Sequence, residues 1–194
     1  MPAVCTTGWS YGRWNRTARM SKKAGADLST FTTARLAAER LTSHHLPEIR
    51  RMHRDAAVMA QLGGVRDDAQ TDAYLAKNLK HWDEYAFGLW ILRERAGGEP
   101  IGRAVLRHLL VEDVDEVEVG YAFYEPFWGR GLATEVATAC IALGRRELGL
   151  TTIVAVTSPD NRASHHVLEK AGLSYERDFM HEGARSNLWR GATI

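Results

Sequence analysis

The 194-residue sequence is short of cysteine, of net charge and of long apolar runs, and each shortage removes a class of protein. Only Cys5 and Cys140 are present, far apart and in different contexts, so neither a disulfide framework nor a CxxC metal site can be built. That usage fits a reducing cytoplasm. No stretch approaches the roughly 18 consecutive apolar residues of a membrane span, so none is expected. Lysine and arginine number 25 against 24 aspartates and glutamates, a net charge of +1. Direct nucleic-acid binding, which needs a strong positive field, is not expected. The histidine pairs His44-His45 and His165-His166 lack further ligands at metal-site spacing, so they read as surface residues and no metal is expected. There is no internal repeat and no low-complexity tract.

What is present is the balance of a globular protein, 45% apolar and 25% charged residues, in a chain long enough for one domain. The first 26 residues differ from the rest: they carry Arg13, Arg16, Arg19, Lys22 and Lys23 and no acidic residue. Residues 1–28 therefore read as a leader, whether disordered, of organelle-targeting character, or the product of a start assigned ahead of Met20. The folded domain is expected over 29–194.

Residues 31–41 read as an edge strand or irregular lead-in. A helix follows, with Thr42 or Ser43 as N-cap and Leu46, Ile49, Met52 and His53 at helical spacing, and Gly63-Gly64 stops it. A second helix is predicted from Asp68 to Trp82. Residues 87–94 and 101–111, separated by Ala96-Gly97-Gly98-Glu99-Pro100, read as a hairpin. In the next strand Val117, Val119, Tyr121 and Phe123 alternate with Glu116, Glu118, Gly120 and Ala122. An amphipathic helix spans Leu132 to Leu148, and the β-branched run 151–158 reads as a buried strand parallel to its predecessor, because a helical crossover joins them. A short helix from Arg162 to Ala171 ends at Gly172, followed by strands near 173–177 and 186–190.

Residues 127–135, Phe-Trp-Gly-Arg-Gly-Leu-Ala-Thr-Glu, lie between a strand and a helix, where backbone N–H groups are unpaired and the helix dipole turns its positive end to the loop. Such a place binds phosphate. Gly129 and Gly131 allow close backbone approach, though a glycine-rich turn that binds nothing has the same composition. The P-loop pattern and the dinucleotide fingerprint both fail here, the latter because Thr134 or Glu135 stands where a third small residue belongs.

The turn resembles the acetyl-CoA signature of the GCN5-related N-acetyltransferase (GNAT) family, Gln/Arg-x-x-Gly-x-Gly/Ala. Gly131 and Ala133 match, and Trp128 replaces the usual Gln or Arg. The tryptophan version is similar to that of the RimJ/RimL branch of ribosomal-protein alanine acetyltransferases. Residues 158–176 agree, with Asn161, Ser164, Lys170 and Gly172 in register with that branch and Leu173 where Phe is common. The resemblance covers roughly residues 33–190. It implies an α/β (α+β) fold: one domain, a mixed and mostly antiparallel sheet of about six or seven strands with a splayed central parallel pair, and about four flanking helices.

The resemblance also implies acetyl-CoA as cosubstrate. Backbone amides of Arg130, Gly131, Leu132, Ala133 and Thr134 would hold its diphosphate, with the Arg130 side chain a further contact or an ordinary solvated arginine. Backbone of Phe123 and Glu125 would pair with the pantetheine arm, and Asn161 and Ser164 would lie by it. Asn161 has a second reading as a plain helix N-cap, and Ser164 as an exposed residue of the first turn. An amine would attack the thioester directly. Glu118 is the first candidate for the base, against a solvated strand carboxylate, with His181 and Glu182 behind it; Ser164 is the candidate proton donor to the thiolate, since no tyrosine stands at the family's usual place. An N–H near Phe123 would stabilise the oxyanion.

Five carboxylates within residues 112–118, Glu112, Asp113, Asp115, Glu116 and Glu118, would draw a cationic amine, unless they are a solvated hairpin loop. The acceptor is thus expected to be a protein α-amine or a polyamine-like or antibiotic amine; a homodimer is compatible with the sequence. Two other readings stand beside this one: a non-catalytic acyl-CoA-binding domain, and a nucleotide-binding α/β protein using the same turn.

Overall fold

A computed structural model describes residues 27–192. Most of the proposed leader lies outside the described residues. Leu28 belongs to the packed domain: it is buried, and its carbonyl accepts the Trp90 indole N–H at 2.8 Å.

Eight strands form one sheet. They are β1 (Thr30–Thr32), β2 (Leu36–Arg40), β3 (Leu89–Glu94), β4 (Gly102–Val111), β5 (Val114–Phe123), β6 (Thr152–Thr157), β7 (Ser174–His181) and β8 (Ala184–Ala192). Their spatial order is β1-β2-β3-β4-β5-β6-β8-β7, and among the described residues only the β5/β6 pair is parallel. The α-helices are α1 (Leu46–Arg54), α2 (Ala56–Met59), α3 (Asp68–Tyr85), α4 (Leu132–Leu148) and α5 (Arg162–Lys170).

The class is as the resemblance implied; the counts are higher for local reasons. The segment 31–41 doubles back, so that Phe31 pairs with Ala38 and one expected edge strand becomes two. The helix expected before Gly63 is interrupted at Asp55, which leaves the helical region at ψ 107 and whose carboxylate accepts the N–H groups of Ala57 and Val58. A side chain that bonds the backbone locally competes with the helix, and here it restarts one. Ahead of α1, a single 3-10 turn spans Ser43–His45. His45 is not a surface residue: it is buried and faces Glu39 at 3.3 Å.

β4 and β5 form a hairpin in continuous register from Gly102↔Phe123 to Val111↔Val114, turned by Glu112 and Asp113 at φ 47° and 70°. Paired φ values above zero match the twist of the strands they join. Gly102 is fixed by this register, because a Cβ there would lie 2.4 Å from the Ala122 carbonyl oxygen. Both faces of β5 are covered. Val117, Val119, Tyr121 and Phe123 join the main core together with Leu132, Val136 and Cys140 of α4. On the other face Ala122 packs with Met52, Val58, Met59 and Leu62. Burial pushes the Cys140 thiol up to about 12, which leaves it unreactive. Among the described residues no helix is long and apolar enough to cross a membrane.

The parallel pair is short. β6 pairs with β8 over six residues, from Thr152↔Ala192 to Thr157↔Asn187, but with β5 only at Glu118↔Val154. Past that point the two central strands diverge, and the sheet opens as a fork.

Candidate active site

One arm of the fork runs directly into the glycine turn. After β5 a 3-10 turn spans Glu125–Phe127; Gly129 and Gly131 then sit at φ 71° and 75°, a left-handed backbone costly for any residue with a Cβ. Gly131 is the N-cap of α4 and offers no capping side chain. The first amides of a 17-residue helix therefore face outward with its positive dipole end.

The N-terminal segment braces this turn. Glu135, in the first turn of α4, accepts Thr33 Oγ1 at 2.5 Å, Arg35 N at 2.8 Å and Arg35 Nε at 2.7 Å. Burial pushes its carboxyl up, but these bonds outweigh burial and hold it below the usual carboxylate range. Arg35 then donates to the Arg130 carbonyl at 2.8 Å. Thus Arg35 stands at the turn, whereas the Arg130 side chain is drawn to Glu94 at 2.8 Å and stacks 5.4 Å over Phe127.

Beside the turn is a cleft of about 280 Å³. Phe123, Gly131, Leu132, Ala133 and Thr134, all expected at the cosubstrate, line it together with Phe127, Trp128 and Gly129. Ala163, His166, Val167 and Lys170 of α5 form the opposite wall. The uncapped amides, the Cβ-free turn and the cations Lys170 and Arg35 fit a diphosphate with an attached arm. Glu125 and Arg130 are at its edge, outside the lining. Asn161 and Ser164 are fully buried and do not line it either; Asn161 Oδ1 accepts the Ser164 amide at 3.1 Å, the bond of an N-cap. Ser164 is therefore not an exposed first-turn residue.

Phe123 is placed to meet an arm threading the fork. The Tyr124 amide bonds Ile101 on the β4 side at 3.0 Å, and N–H groups alternate along a strand, so the Phe123 amide faces the gap. Its carbonyl accepts the Trp128 indole N–H at 2.7 Å. Trp128 thereby ties the turn to the end of β5, a role that its departure from the Gln/Arg pattern did not reveal.

The other face of the fork carries the buried polar groups. Glu118 is 1% exposed and accepts Arg107 Nε at 2.7 Å, in register across β4 and β5. It is not a solvated strand carboxylate. Burial pushes its carboxyl up, and Arg107 and then Arg103 pull it back. His53 is buried with Arg66 Nη1 at 3.0 Å from Nε2 and Thr71 Oγ1 at 2.9 Å from Nδ1. Because arginine only donates, Nε2 accepts and Nδ1 carries the proton. Burial, then Arg66 and Arg103, drive this histidine down to about 3, so it stays neutral. His181 closes β7, lowered first by burial and then by Arg107, and Glu182 sits in the tight turn to β8 at φ 51°. Of the three base candidates, only Glu118 is at the fork itself.

Four of the five carboxylates of the acidic run have a basic partner in space. Glu112 pairs with Arg177 at 2.9 Å, Asp115 with His108 at 2.9 Å, Glu116 with Arg190 at 2.8 Å, and Glu118 with Arg107. The three arginine pairs thus offset much of the expected attraction of a polycation, and their partners come from other strands, β4, β7 and β8. Arg103, Arg107 and Arg35 escaped the sequence reading. The first two left one signal: charges four apart on an otherwise apolar strand share one face.

The family described as Acetyltransferase (GNAT) domain matches residues 35–174. The chain is 32% identical over 123 residues to the uncharacterized protein YkkB of Bacillus subtilis, covering 63% of this chain and 72% of that protein. An acetyltransferase structure from Agrobacterium tumefaciens superposes with a TM-score of 0.75 at 26% identity, covering 94% of this chain and all of that one. The ribosomal-protein alpha-N-acetyltransferase RimL, in complex with coenzyme A, shares the fold at a TM-score of 0.69 and 15% identity, over 84% of this chain and 97% of its own. With the family match spanning the turn, the fork and the arginine-lined face, this chain belongs to the GNAT acetyltransferase domain family and is an acetyltransferase.

Proposed function

We propose that the protein transfers the acetyl group of acetyl-CoA to a primary amine, of a small molecule or a protein N-terminus, by direct attack at the fork. The observation that carries this reading is the uncapped start of α4 beside a gap that opens at Glu118. Backbone amides of Arg130 to Thr134 hold the diphosphate, and Arg35 and Lys170 add charge. Bound there, acetyl-CoA supplies an activated thioester carbonyl. The Phe123 amide, facing the gap, stabilises negative charge on that oxygen. Phe123 and Glu125 align the arm, and Asn161 fixes the start of α5 so that Ser164 can protonate the departing thiolate. Glu118 takes the proton from the incoming ammonium; its raised pKa and its place at the last paired residue suit it to that task. Its Arg107 partner stabilises the ionised form between turnovers.

The tryptophan-bearing turn favours the RimJ/RimL-like branch, and the two cysteines a reducing cytoplasmic setting. Calorimetry with coenzyme A, followed by thiol release from acetyl-CoA across a panel of amines, tests the reading. Micromolar binding with amine-dependent thiol release is expected. Absence of coenzyme A binding to the folded protein removes it.

A further inference from the structure

Among the described residues, Arg103 of β4, on the same face as Glu118, has no ion-pair partner of its own. Arg103 is 3% exposed, and its Nε and Nη1 have no hydrogen-bond partner among the described residues. Its guanidinium lies 5.8 Å over the Tyr74 ring, which supplies a π-face and no counter-charge. Glu118, the carboxylate on this face that influences it, already receives Arg107.

The surroundings increase the imbalance. Arg66 stacks 5.1 Å over the same Tyr74 ring and donates to His53, which is neutral, and to the Leu62 carbonyl. Lys77 is held down at about 8, first by burial and then by the Arg107 charge. Arg66, Lys77, Arg103 and Arg107 therefore share this interior with Glu118 and Glu182 as the acids that act on them. Buried charges are normally matched by opposite charge and saturated with hydrogen bonds. A guanidinium kept dry and unpaired among other cations is a preformed receptor for an anionic oxygen group.

Its position relates that receptor to the chemistry. Arg103 is opposite Ala122 in the β4/β5 register, one residue from Phe123, whose amide faces the gap. An anion on Arg103 would be held beside the place where the amine attacks.

We infer that Arg103 binds a carboxylate carried by the acceptor itself, so that the substrate is a small amino carboxylate and not a polyamine, an aminoglycoside-like polycation or an uncharged amine. This rests on the acetyl-transfer reading above and narrows its acceptor. Arg103 selects and orients the amine through its anionic end, and Arg66 and Lys77 supply the long-range attraction. Binding neutralises the excess positive charge, so acceptor and receptor stabilise each other.

The test compares acceptors matched in their amine. Glycine, β-alanine and γ-aminobutyrate are assayed for thiol release from acetyl-CoA against their carboxamides, with phosphoethanolamine, ethanolamine and spermidine alongside. At least one amino carboxylate is expected to exceed its carboxamide and spermidine by tenfold or more in kcat/KM, carried mainly by KM. In Arg103→Met that preference should collapse, while coenzyme A affinity by calorimetry stays at the wild-type value and reports a folded cosubstrate site. Carboxamides or spermidine turned over as well as the carboxylates, or a preference that survives Arg103→Met, overturns the inference while leaving acetyl transfer intact. A clear preference for phosphoethanolamine over every carboxylate also overturns it. Should Arg103→Met fail to fold, the wild-type comparison of carboxylate with carboxamide decides alone. If no amine is acetylated, titration of the same pairs onto the coenzyme A-loaded protein reads the receptor directly: equal affinity for carboxylate and carboxamide sinks it, and lost coenzyme A binding sinks the acetyl-transfer reading instead.

Discussion

Replacing Glu118 with Gln separates a structural carboxylate from a catalytic one. The side chain is 1% exposed, its partner Arg107 is 2% exposed, and the two meet at 2.7 Å. Glutamine keeps the shape but leaves Arg107 buried beside the uncompensated Arg103. Removing one member of a buried pair costs about 3–5 kcal/mol, because the other charge remains dry and unmatched. Unfolding entropy of about 2.1 cal/mol/K per residue, applied to residues 27–192, converts this to a fall of about 9–14 °C in Tm. The double variant Arg107→Met, Glu118→Leu removes both charges and fills similar volume, so it should regain most of that loss. Scanning calorimetry measures the stability and thiol release the activity. If Glu118 is the base, the double variant is stable yet slowed by about 10²- to 10⁴-fold. A Tm loss of under about 3 °C for Glu118→Gln, or a double variant no more stable than the single one, would refute the account of the pair; a stable double variant with full activity would refute the base.

Acid should destabilise the fold before its carboxylates titrate. His53 and His81 are held at about 3, chiefly by burial, against an unfolded value near 6.5. The unfolded chain then binds more protons, so their contribution is complete above about pH 6.5 and lost as pH falls, up to about 2 kcal/mol each at pH 5. The raised carboxyl of Glu118 opposes this in part, since its stabilisation is greatest at low pH. Thermal melts from pH 7.5 to 5 should show Tm falling, and a flat profile contradicts the burial of neutral histidine. Gly131→Val should raise KM for acetyl-CoA by roughly 10- to 100-fold, the equivalent of one charge-assisted hydrogen bond, because φ 75° is strained for a β-branched residue and the Cβ meets Arg35 at 3.6 Å. Gly102→Ala places a methyl 2.4 Å from a backbone carbonyl that cannot move without breaking the hairpin register, and should cost more than about 2 kcal/mol by chemical denaturation. Trp128→Phe deletes the 2.7 Å bond to the Phe123 carbonyl and should lower stability by about 1 kcal/mol with a fall in kcat, read by steady-state kinetics.

Some of this protein is local and was open to reading in the chain itself. The strand, glycine turn and helix at residues 114–148 follow from alternation, from glycine's freedom at positive φ and from a 3.6-residue period, all set by neighbours in sequence. The cleft proposed for the cosubstrate inherits that legibility, since residues of one turn and the start of one helix form much of its lining. Other features depend on where side chains of different elements meet. The doubling back of residues 30–40 places Arg35 and Thr33 on Glu135, about a hundred positions away. His45 looked like a surface histidine until β2 brought Glu39 beside it. Above all, the acidic stretch at 112–118 reads as a negative surface in one dimension, whereas β4, β7 and β8 bring an arginine or histidine to Glu112, Asp115, Glu116 and Glu118. Coulomb energy depends on separation in space and on local dielectric, neither of which sequence order records. Which of these charges are matched was therefore decided by tertiary structure alone, and among the described residues Arg103 keeps a dry Nε and Nη1 with no hydrogen-bond partner.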